Sequence, residues 1–341
     1  MATWSKTTIS AAGLVGAPVV ATAFVLAIAT CAVAWPLATY TLSLAAFGLA
    51  HVFSELRFVH RRYGKRIHGQ LSAVLLALLG AVVLLRVLAL TNVLPASLTG
   101  QAEVGVALVL GIVVLPLLGQ RHPLRLGIGV IVCAALAAGL LVSAMHTLLV
   151  LAVLHNFTPI GFLSDATDGD QRKRVLALCA VVFIALPVLI ATGLPFDLAA
   201  NTLGIAAPEA SILPAGPLAT NLGAYLPPEL HDRPWAMHAF SAVVFTQCMH
   251  YAVVIHVLPR LDAENASQAQ TSWRPQLSGF TLFLIVAGAI WLAAFAWDFK
   301  LARSVYGVAA AVHAWVEIPI LMIALLGVWP LAATESDDLP E

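Results

Sequence analysis

The chain has 341 residues, of which 61% are hydrophobic and 10% are charged, and its mean hydropathy is +0.95. A water-soluble protein needs a polar surface, and this composition has too few charged residues to form one. The formal net charge is zero, so the overall balance indicates neither an acidic nor a basic partner. We therefore expect a multi-pass protein of the cell inner (plasma) membrane, with the lipid membrane as its surroundings.

Apolar segments long enough to cross a bilayer follow one another through most of the chain. Because a hydrocarbon core about 30 Å thick needs roughly 20 apolar residues per helix, about ten segments qualify. We predict an all-α, polytopic integral membrane helix bundle with about ten transmembrane helices. The first apolar run is too long for a cleavable signal peptide, so we expect a span there. The predicted spans are 11–34, 37–59, 70–94, 102–119, 124–142, 145–164, 174–194, 236–259, 276–297 and 303–328.

Basic residues cluster in every second loop, after the second, fourth, sixth and eighth predicted spans. Basic loops stay in the cytoplasm, which predicts that both termini are cytoplasmic and that the long connection 195–235 is extracytoplasmic. No repeat or change in composition marks a second domain, so we predict a single transmembrane domain over residues 1–341. The basic clusters are Arg61, Arg62, Lys65 and Arg66; Arg121 and Arg125; Arg172, Lys173 and Arg174; Arg260 and Arg274.

Several kinds of chemistry have no support in the sequence. Gly-rich phosphate loops, nucleophile elbows and basic stretches interleaved with aromatic residues are absent, so we expect no nucleotide chemistry and no nucleic-acid partner. The cysteines lie within apolar runs and form no Cys-x-x-Cys pair, which argues against a disulfide framework or a thiolate zinc site. They are Cys31, Cys133, Cys179 and Cys248.

Ionisable side chains inside predicted spans are the main functional signal, because such groups are unfavourable in lipid and usually face a functional interior. Counted at about 1.5 Å per residue from the span midpoints, four histidines fall within roughly 5 Å of one another in membrane depth. Two of them have a glutamate four residues later, which puts both side chains on one helical face. The residues are His51, Glu55, His155, His250, His313 and Glu317.

This set of side chains predicts a metal site. Imidazoles and carboxylates that converge from different helices suit iron best, with copper, zinc or manganese compatible by ligand type. Glu55 and Glu317 have two alternative roles, as metal ligands or as acceptors that orient a ligand imidazole. We expect Asn156, Gln247 and Tyr251 to bind the cofactor as surrounding polar groups.

Two prolines are expected to disturb the helices that carry the site. Pro159 removes the N–H that would bond the carbonyl of His155, and Pro319 does the same to Trp315. Irregular backbone in a membrane is tolerated where it is buried in protein or lines a cavity. Both kinks therefore favour an interior site over a surface that faces lipid.

Other ionisable residues have ordinary interpretations. Arg57, Arg86 and Asp298 lie near span ends and are expected to anchor the protein at the membrane surface. Histidines near span ends are expected not to be ligands; they are His60, His68, His122, His146, His238 and His256. The histidines within the spans also have alternatives: axial ligands of haem, a proton pathway, or hydrogen bonds between helices.

Four short segments resemble the bacteriorhodopsin-related β-carotene dioxygenases in their order along the chain. They are GLAHVFSE (48–55), LHNF (154–157), CMH (248–250) and VHAWVE (312–317). The resemblance implies an all-helical membrane enzyme that uses histidine-bound iron and O₂ to split β-carotene into two retinals. It further implies that His51, His155, His250 and His313 hold the iron.

The sequence thus favours a membrane-embedded iron oxygenase, specifically an iron-dependent dioxygenase with non-haem Fe²⁺. Its partners would be O₂ and an apolar small-molecule substrate that enters from the bilayer, such as a carotenoid. Haem or copper is the alternative cofactor. The alternative functions are a haem-binding membrane cytochrome and a proton-coupled transporter that uses the same histidine and glutamate residues.

Overall fold

The computed structural model describes residues 11–64, 67, 69–119, 123–204, 211–212, 214–261 and 279–325. Some predictions fall outside these residues. They are the cytoplasmic location of the two chain ends, the basic residues Lys65, Arg66, Arg121 and Arg274, and the histidines His68 and His122.

Long apolar helices account for most of the described chain. The helices before the long connection are α1 (Ala11–Ala34), α2 (Pro36–Tyr63), α3 (Gln70–Leu90), α4 (Ala96–Gly119), α5 (Pro123–Val142), α6 (Ala144–His155), α7 (Thr158–Ala166) and α8 (Gly169–Ala191). The long connection contains α9 (Leu194–Leu203) and α10 (Leu218–Leu222), and the helices after it are α11 (Ala236–Leu261), α12 (Gly279–Trp297) and α13 (Phe299–Leu325).

The helices confirm the predicted all-α membrane bundle. Among the described residues, eight helices are long and apolar enough to cross a membrane, and α6 with α7 makes a ninth if the bent pair is one span. These nine coincide with nine predicted spans, and α1, a helix of 24 residues, occupies the first. The chain is therefore a multi-pass membrane protein.

Some helices start earlier than the sequence predicts. Helix α4 begins at Ala96 rather than at residue 102, and α8 begins at Gly169 rather than at residue 174. Hydropathy marks the apolar stretch, whereas backbone hydrogen bonding continues through polar residues at its ends. The charged first turns of α8 therefore extend the helix beyond its apolar part.

Helices α2, α11 and α13 form the centre of the bundle. More than half of the most apolar window in each of these helices is buried, whereas α3, α5 and α12 are buried over less than a fifth of theirs. Because only an interior helix has its polar side chains shielded from lipid, these three helices can carry ionisable residues at little cost. They carry His51, His250 and His313.

The long connection contains the one pair of β-strands in the described residues. Two-residue strands, Ser211–Ile212 and Gly216–Pro217, pair antiparallel with Ser211 opposite Pro217. Gly216 has a φ of +80°, a conformation that favours glycine and allows the tight reversal. Helix α10 and a 3-10 turn at Pro228–Leu230 follow the hairpin.

Candidate metal centre

The structure brings the four predicted histidines together in the interior of the bundle. Helices α2, α6, α11 and α13 each contribute one, and one ligand atom from each of the four lies within 4.8 Å of the others. His51, His250 and His313 are at most 1% exposed, and His155 is partly buried at the wall of a cavity. The four histidines that the sequence places at a similar membrane depth are therefore close together in the structure.

The spacing within the cluster fits a metal ion. The Nε2 atom of His313 lies 3.0 Å from Nε2 of His51 and 3.0 Å from Nε2 of His155. Imidazole nitrogens bind metals at about 2.1 Å, so two nitrogens at right angles on one ion are about 3 Å apart. The four histidines can hold a metal ion among them.

Several polar atoms in the cluster lack a partner in the protein. Both ring nitrogens of His250 and both carboxylate oxygens of Glu55 are buried without a hydrogen bond, although His250 Nε2 and Glu55 Oε2 lie 3.4 Å apart. Nδ1 of His51 and Nδ1 of His313 are also unpaired. A buried polar atom without a partner destabilises a protein by about 1–3 kcal/mol. A bound cation would supply a partner for one nitrogen of His250 and for the Glu55 carboxylate, whereas Nδ1 of His51 and Nδ1 of His313 are on the ring edges away from the centre.

Glu317 contacts the outer side of the cluster. Its Oε2 atom lies 2.6 Å from Nδ1 of His155, while Nε2 of the same ring faces His313. Its other oxygen lies 2.6 Å from the hydroxyl of Thr158. A carboxylate on Nδ1 fixes the tautomer that leaves Nε2 free to bind a metal. This geometry favours the orienting role for Glu317 over direct ligation.

Glu55 has a different environment. It is 1% exposed, and its carboxyl group interacts with the side chains of Glu317 and His250. Glu317, by contrast, also contacts the hydroxyl group of Thr158. With its Oε2 atom 3.4 Å from His250 Nε2, Glu55 can accept a hydrogen bond from that ring or bind a cation directly. Of the two carboxylates, Glu55 is therefore the better candidate ligand.

The kink predicted at Pro159 is present as a break between two helices, and it positions His155. Helix α6 ends at His155 and α7 begins at Thr158, and their axes are bent by 42°. Pro159 cannot bond the carbonyl of His155, and the Thr158 hydroxyl lies 2.8 Å from that oxygen instead. The same hydroxyl reaches Glu317, but it has one proton to donate at a time. By contrast, α13 continues through Pro319 to Leu325.

The three surrounding polar residues predicted from the sequence all line the cavity beside the cluster. Tyr251 stacks on His51, with ring centroids 4.0 Å apart and an interplanar angle of 23°. The Gln247 amide donates to Ser43 Oγ at 3.2 Å and accepts from the Tyr225 hydroxyl. The amide of Asn156 donates to the carbonyl of Ala152. These contacts fix helices and a ligand ring, and their role in binding a cofactor stays a prediction.

A cavity of about 940 Å³ extends from the cluster towards the end of the bundle covered by the long connection. His51, His155 and His313 line one part of it, and Tyr225 from the connection lines another. Burial raises the pKa of Tyr225 well above its ordinary value, so this hydroxyl keeps its proton. The cavity is large enough for an organic molecule to bind next to the histidines.

The described histidines near span ends lie outside the cluster. His60 and His256 are exposed, and His238 packs against the ring of Phe196. His146 Nε2 lies 2.5 Å from Glu229 Oε1 in the long connection. None of them belongs to the group of four described histidines that could bind a metal.

A buried acid that was not predicted from the sequence pairs with a basic residue that was predicted to anchor the protein at the membrane surface. Glu103 in α4 is 3% exposed and lies 2.6 Å from Arg86, which is therefore an internal ion-pair partner rather than a surface anchor. The indole N–H of Trp315 donates to the same Glu103 oxygen at 2.7 Å. An acid inside a predicted apolar span was the signal for this contact. The network links α3 and α4 to the helix that carries His313.

Comparison with models of known families, with characterised proteins and with solved structures finds no match to this chain. The resemblance to β-carotene dioxygenases therefore stays a prediction that rests on the four short motifs. The geometry of the histidine cluster carries the functional argument.

Proposed function

We propose that the protein is a membrane-embedded non-haem iron oxygenase that acts on a lipid-soluble substrate. The observation that carries the proposal is the cluster of four histidines inside the bundle, three of which line a large cavity. The site offers imidazole and carboxylate ligands and no thiolate, and non-haem iron is commonly bound by such a ligand set. When iron is bound by these ligands, it would activate O₂ for reaction with the substrate.

The protein's own residues would hold and shape this site. His51, His155, His250 and His313 would bind the metal as neutral imidazoles, and Glu55 would complete the set or accept a hydrogen bond from His250. Glu317 would hold the ring of His155 in the tautomer that faces the centre. Tyr251 would fix the plane of His51 by stacking on it.

The proposed substrate is an apolar molecule that reaches the cavity from the bilayer. Leu44, Leu148, Leu151 and Ile318 line the cavity together with small residues, and they would exclude water from the reacting part of the substrate. Oxidative cleavage of a carotenoid to retinal is the reaction that the motif resemblance suggests. O₂ would be the second substrate.

A haem-binding cytochrome fits the cluster less well. The rings of His155 and His250 have centroids 4.6 Å apart, and those of His155 and His313 are 4.7 Å apart. Axial haem ligands lie on opposite faces of a flat macrocycle. The imidazoles contact one another directly, which leaves no gap for a macrocycle between them. A proton-coupled transporter would need the same ionisable groups without a metal.

Metal analysis with an optical spectrum tests the proposal directly. The full chain would be purified in detergent as wild type, His155→Ala and His313→Ala, with His146→Ala as the control at an exposed histidine. We expect stoichiometric iron in the wild type and in the control, its loss in both cluster variants, and no haem band. A wild-type protein that contains and binds no metal would contradict the proposal and favour the transporter.

The reaction would then be assayed on the iron-loaded protein. β-Carotene in mixed micelles under O₂ should yield retinal, detected by chromatography, with wild type and His146→Ala but not with His313→Ala. If the protein binds iron but forms no retinal, the proposed metal centre is supported and the carotenoid substrate is ruled out.

A further inference from the structure

The cavity is basic at one end and has the histidines further along. Arg86, Lys300 and Arg303 line the end next to the long connection. Of the described residues that line the cavity, Glu317 is the one acid, and it lies on the histidine side. The cavity is thus electrostatically asymmetric along its length.

Two of the three cations are not neutralised within the described protein. Arg86 is paired with Glu103, but Lys300 and Arg303 form no ion pair with a described residue. Asp298, the nearest acid in sequence, accepts a hydrogen bond from the backbone N–H of Leu301. The Arg303 guanidinium lies over the ring of Tyr40, 5.7 Å from its centroid, so an aromatic residue holds it at the cavity wall.

One face of α13 connects the basic end to the histidines. Its small residues Gly307, Ala310 and Ala314 line the cavity between Arg303 and Glu317. The ten-residue separation between Arg303 and His313 corresponds to about 15 Å along a helix axis. The small side chains leave room for an extended chain to lie against this face.

We propose that the basic end of the cavity binds the carboxylate of a long-chain apolar acid, whose chain extends along α13 to the histidines. A guanidinium recognises a carboxylate through two parallel hydrogen bonds, and Lys300 adds a second positive charge. Tyr40, beneath the Arg303 guanidinium, also lines the cavity, whereas the Asn221 amide and the Tyr225 hydroxyl already donate within the protein. The inference rests on the proposed function only in placing the reacting part of the substrate at the metal, and it names a long-chain acid as the alternative to β-carotene, which has no carboxylate.

The test measures binding to metal-free protein, so it does not depend on whether iron or oxygenase activity is found. A conjugated tetraene fatty acid, parinaric acid, accepts excitation energy from tryptophan, and Trp315 lines the cavity. Its methyl ester has the same chain without the charge. Titration of chelator-treated wild type with both compounds compares them directly. We expect the acid to bind about tenfold more tightly than the ester, the factor that one charge-assisted hydrogen bond supplies.

Variants of the full chain assign the preference to the basic end. Arg303→Gln should abolish the preference for the acid while it leaves ester binding unchanged, which also shows that the cavity is intact. Arg233→Gln is the matched control, because Arg233 is exposed near the same end and does not line the cavity. Gly307→Leu should weaken the binding of both compounds, because the leucine side chain fills the space along α13. If Arg303→Gln does not fold, the exposed Lys300→Gln is expected to reduce the preference instead.

Equal binding of acid and ester to the wild type would overturn the proposal. A preference that survives in both Arg303→Gln and Lys300→Gln would also overturn it. The same anionic chemistry could come from a membrane lipid, so phosphatidate is included as a competitor. Displacement of the ester by phosphatidate but not by a fatty acid would assign these cations to lipid anchoring and overturn the substrate assignment.

Discussion

Glu317 Oε2 lies 2.6 Å from Nδ1 of His155, and Nε2 of that ring lies 3.0 Å from Nε2 of His313. The carboxylate and the neighbouring histidine therefore contact opposite nitrogens of one imidazole. This relationship makes the orientation of His155 depend on a residue that does not face the centre. It leads to a prediction that separates the two roles considered for Glu317.

Glu317→Gln should weaken metal binding without abolishing it. The amide keeps the shape of the side chain but loses the charge that favours the required tautomer, and such outer partners typically change metal affinity by about 10- to 100-fold. Metal titration of the purified protein measures the change. Glu229→Gln is the matched control, because Glu229 also contacts a histidine but lies in the long connection. A loss as complete as in His155→Ala would identify Glu317 as a ligand instead.

Metal addition should stabilise the folded protein. A ligand that binds only the folded state adds about 2.7 kcal/mol to the free energy of unfolding at a concentration of 100 times its Kd. The melting temperature of chelator-treated protein should therefore rise when Fe²⁺ is restored under anaerobic conditions. His313→Ala should show no such rise. An equal rise in both proteins would mean that the metal binds elsewhere.

Trp315→Phe should destabilise the fold through the contact with Glu103. The variant keeps the aromatic packing but removes the N–H that donates to a buried carboxylate at 2.7 Å. Hydrogen bonds to charged groups contribute about 1.5–3 kcal/mol, which sets the expected loss in free energy of unfolding. Trp297→Phe is the control, because Trp297 is 92% exposed. Equal stability of the two variants would contradict the importance of this contact.

The contact between Glu229 and His146 should add acid sensitivity at one end of the bundle. The backbone N–H of Glu229 and the imidazole of His146 hold the pKa of this carboxyl below its ordinary value of 4.5. A lowered pKa stabilises the folded state above that value, and the contribution is lost as the pH falls through the folded-state pKa. The melting temperatures of wild type and Glu229→Gln should therefore converge as the pH falls below 4.5. A difference that is independent of pH would contradict this prediction.

The sequence was informative about the site because lipid makes ionisable residues conspicuous. His51, His155, His250 and His313 could be selected by depth alone, since a membrane helix has a fixed length and rise. The i, i+4 spacing also placed Glu55 and Glu317 on the same faces as their histidines. The helix break near Pro159 followed from its missing N–H.

The contacts between helices could not be predicted in the same way. Depth does not give the rotation of a helix about its axis, so the partner of Glu317, Thr158, was not foreseen. Arg86 was assigned to the membrane surface because its charge was considered without Glu103 on the next helix. Arg303 was not singled out from the sequence, where a basic residue near a span end has no feature that distinguishes it from one that contacts lipid phosphates. Each miss involves a tertiary contact that a single span does not encode.

The four helices that carry the histidine cluster are far apart in the chain, and His51 and His313 are separated by 262 residues. During synthesis the early helices enter the membrane before the last one exists, so a four-histidine site cannot form until α13 has been made and packed. Metal binding would then follow helix packing and would stabilise a bundle that is already assembled. Protein made without metal would contain the inserted helices but would lack the contacts that the metal adds between α2, α6, α11 and α13.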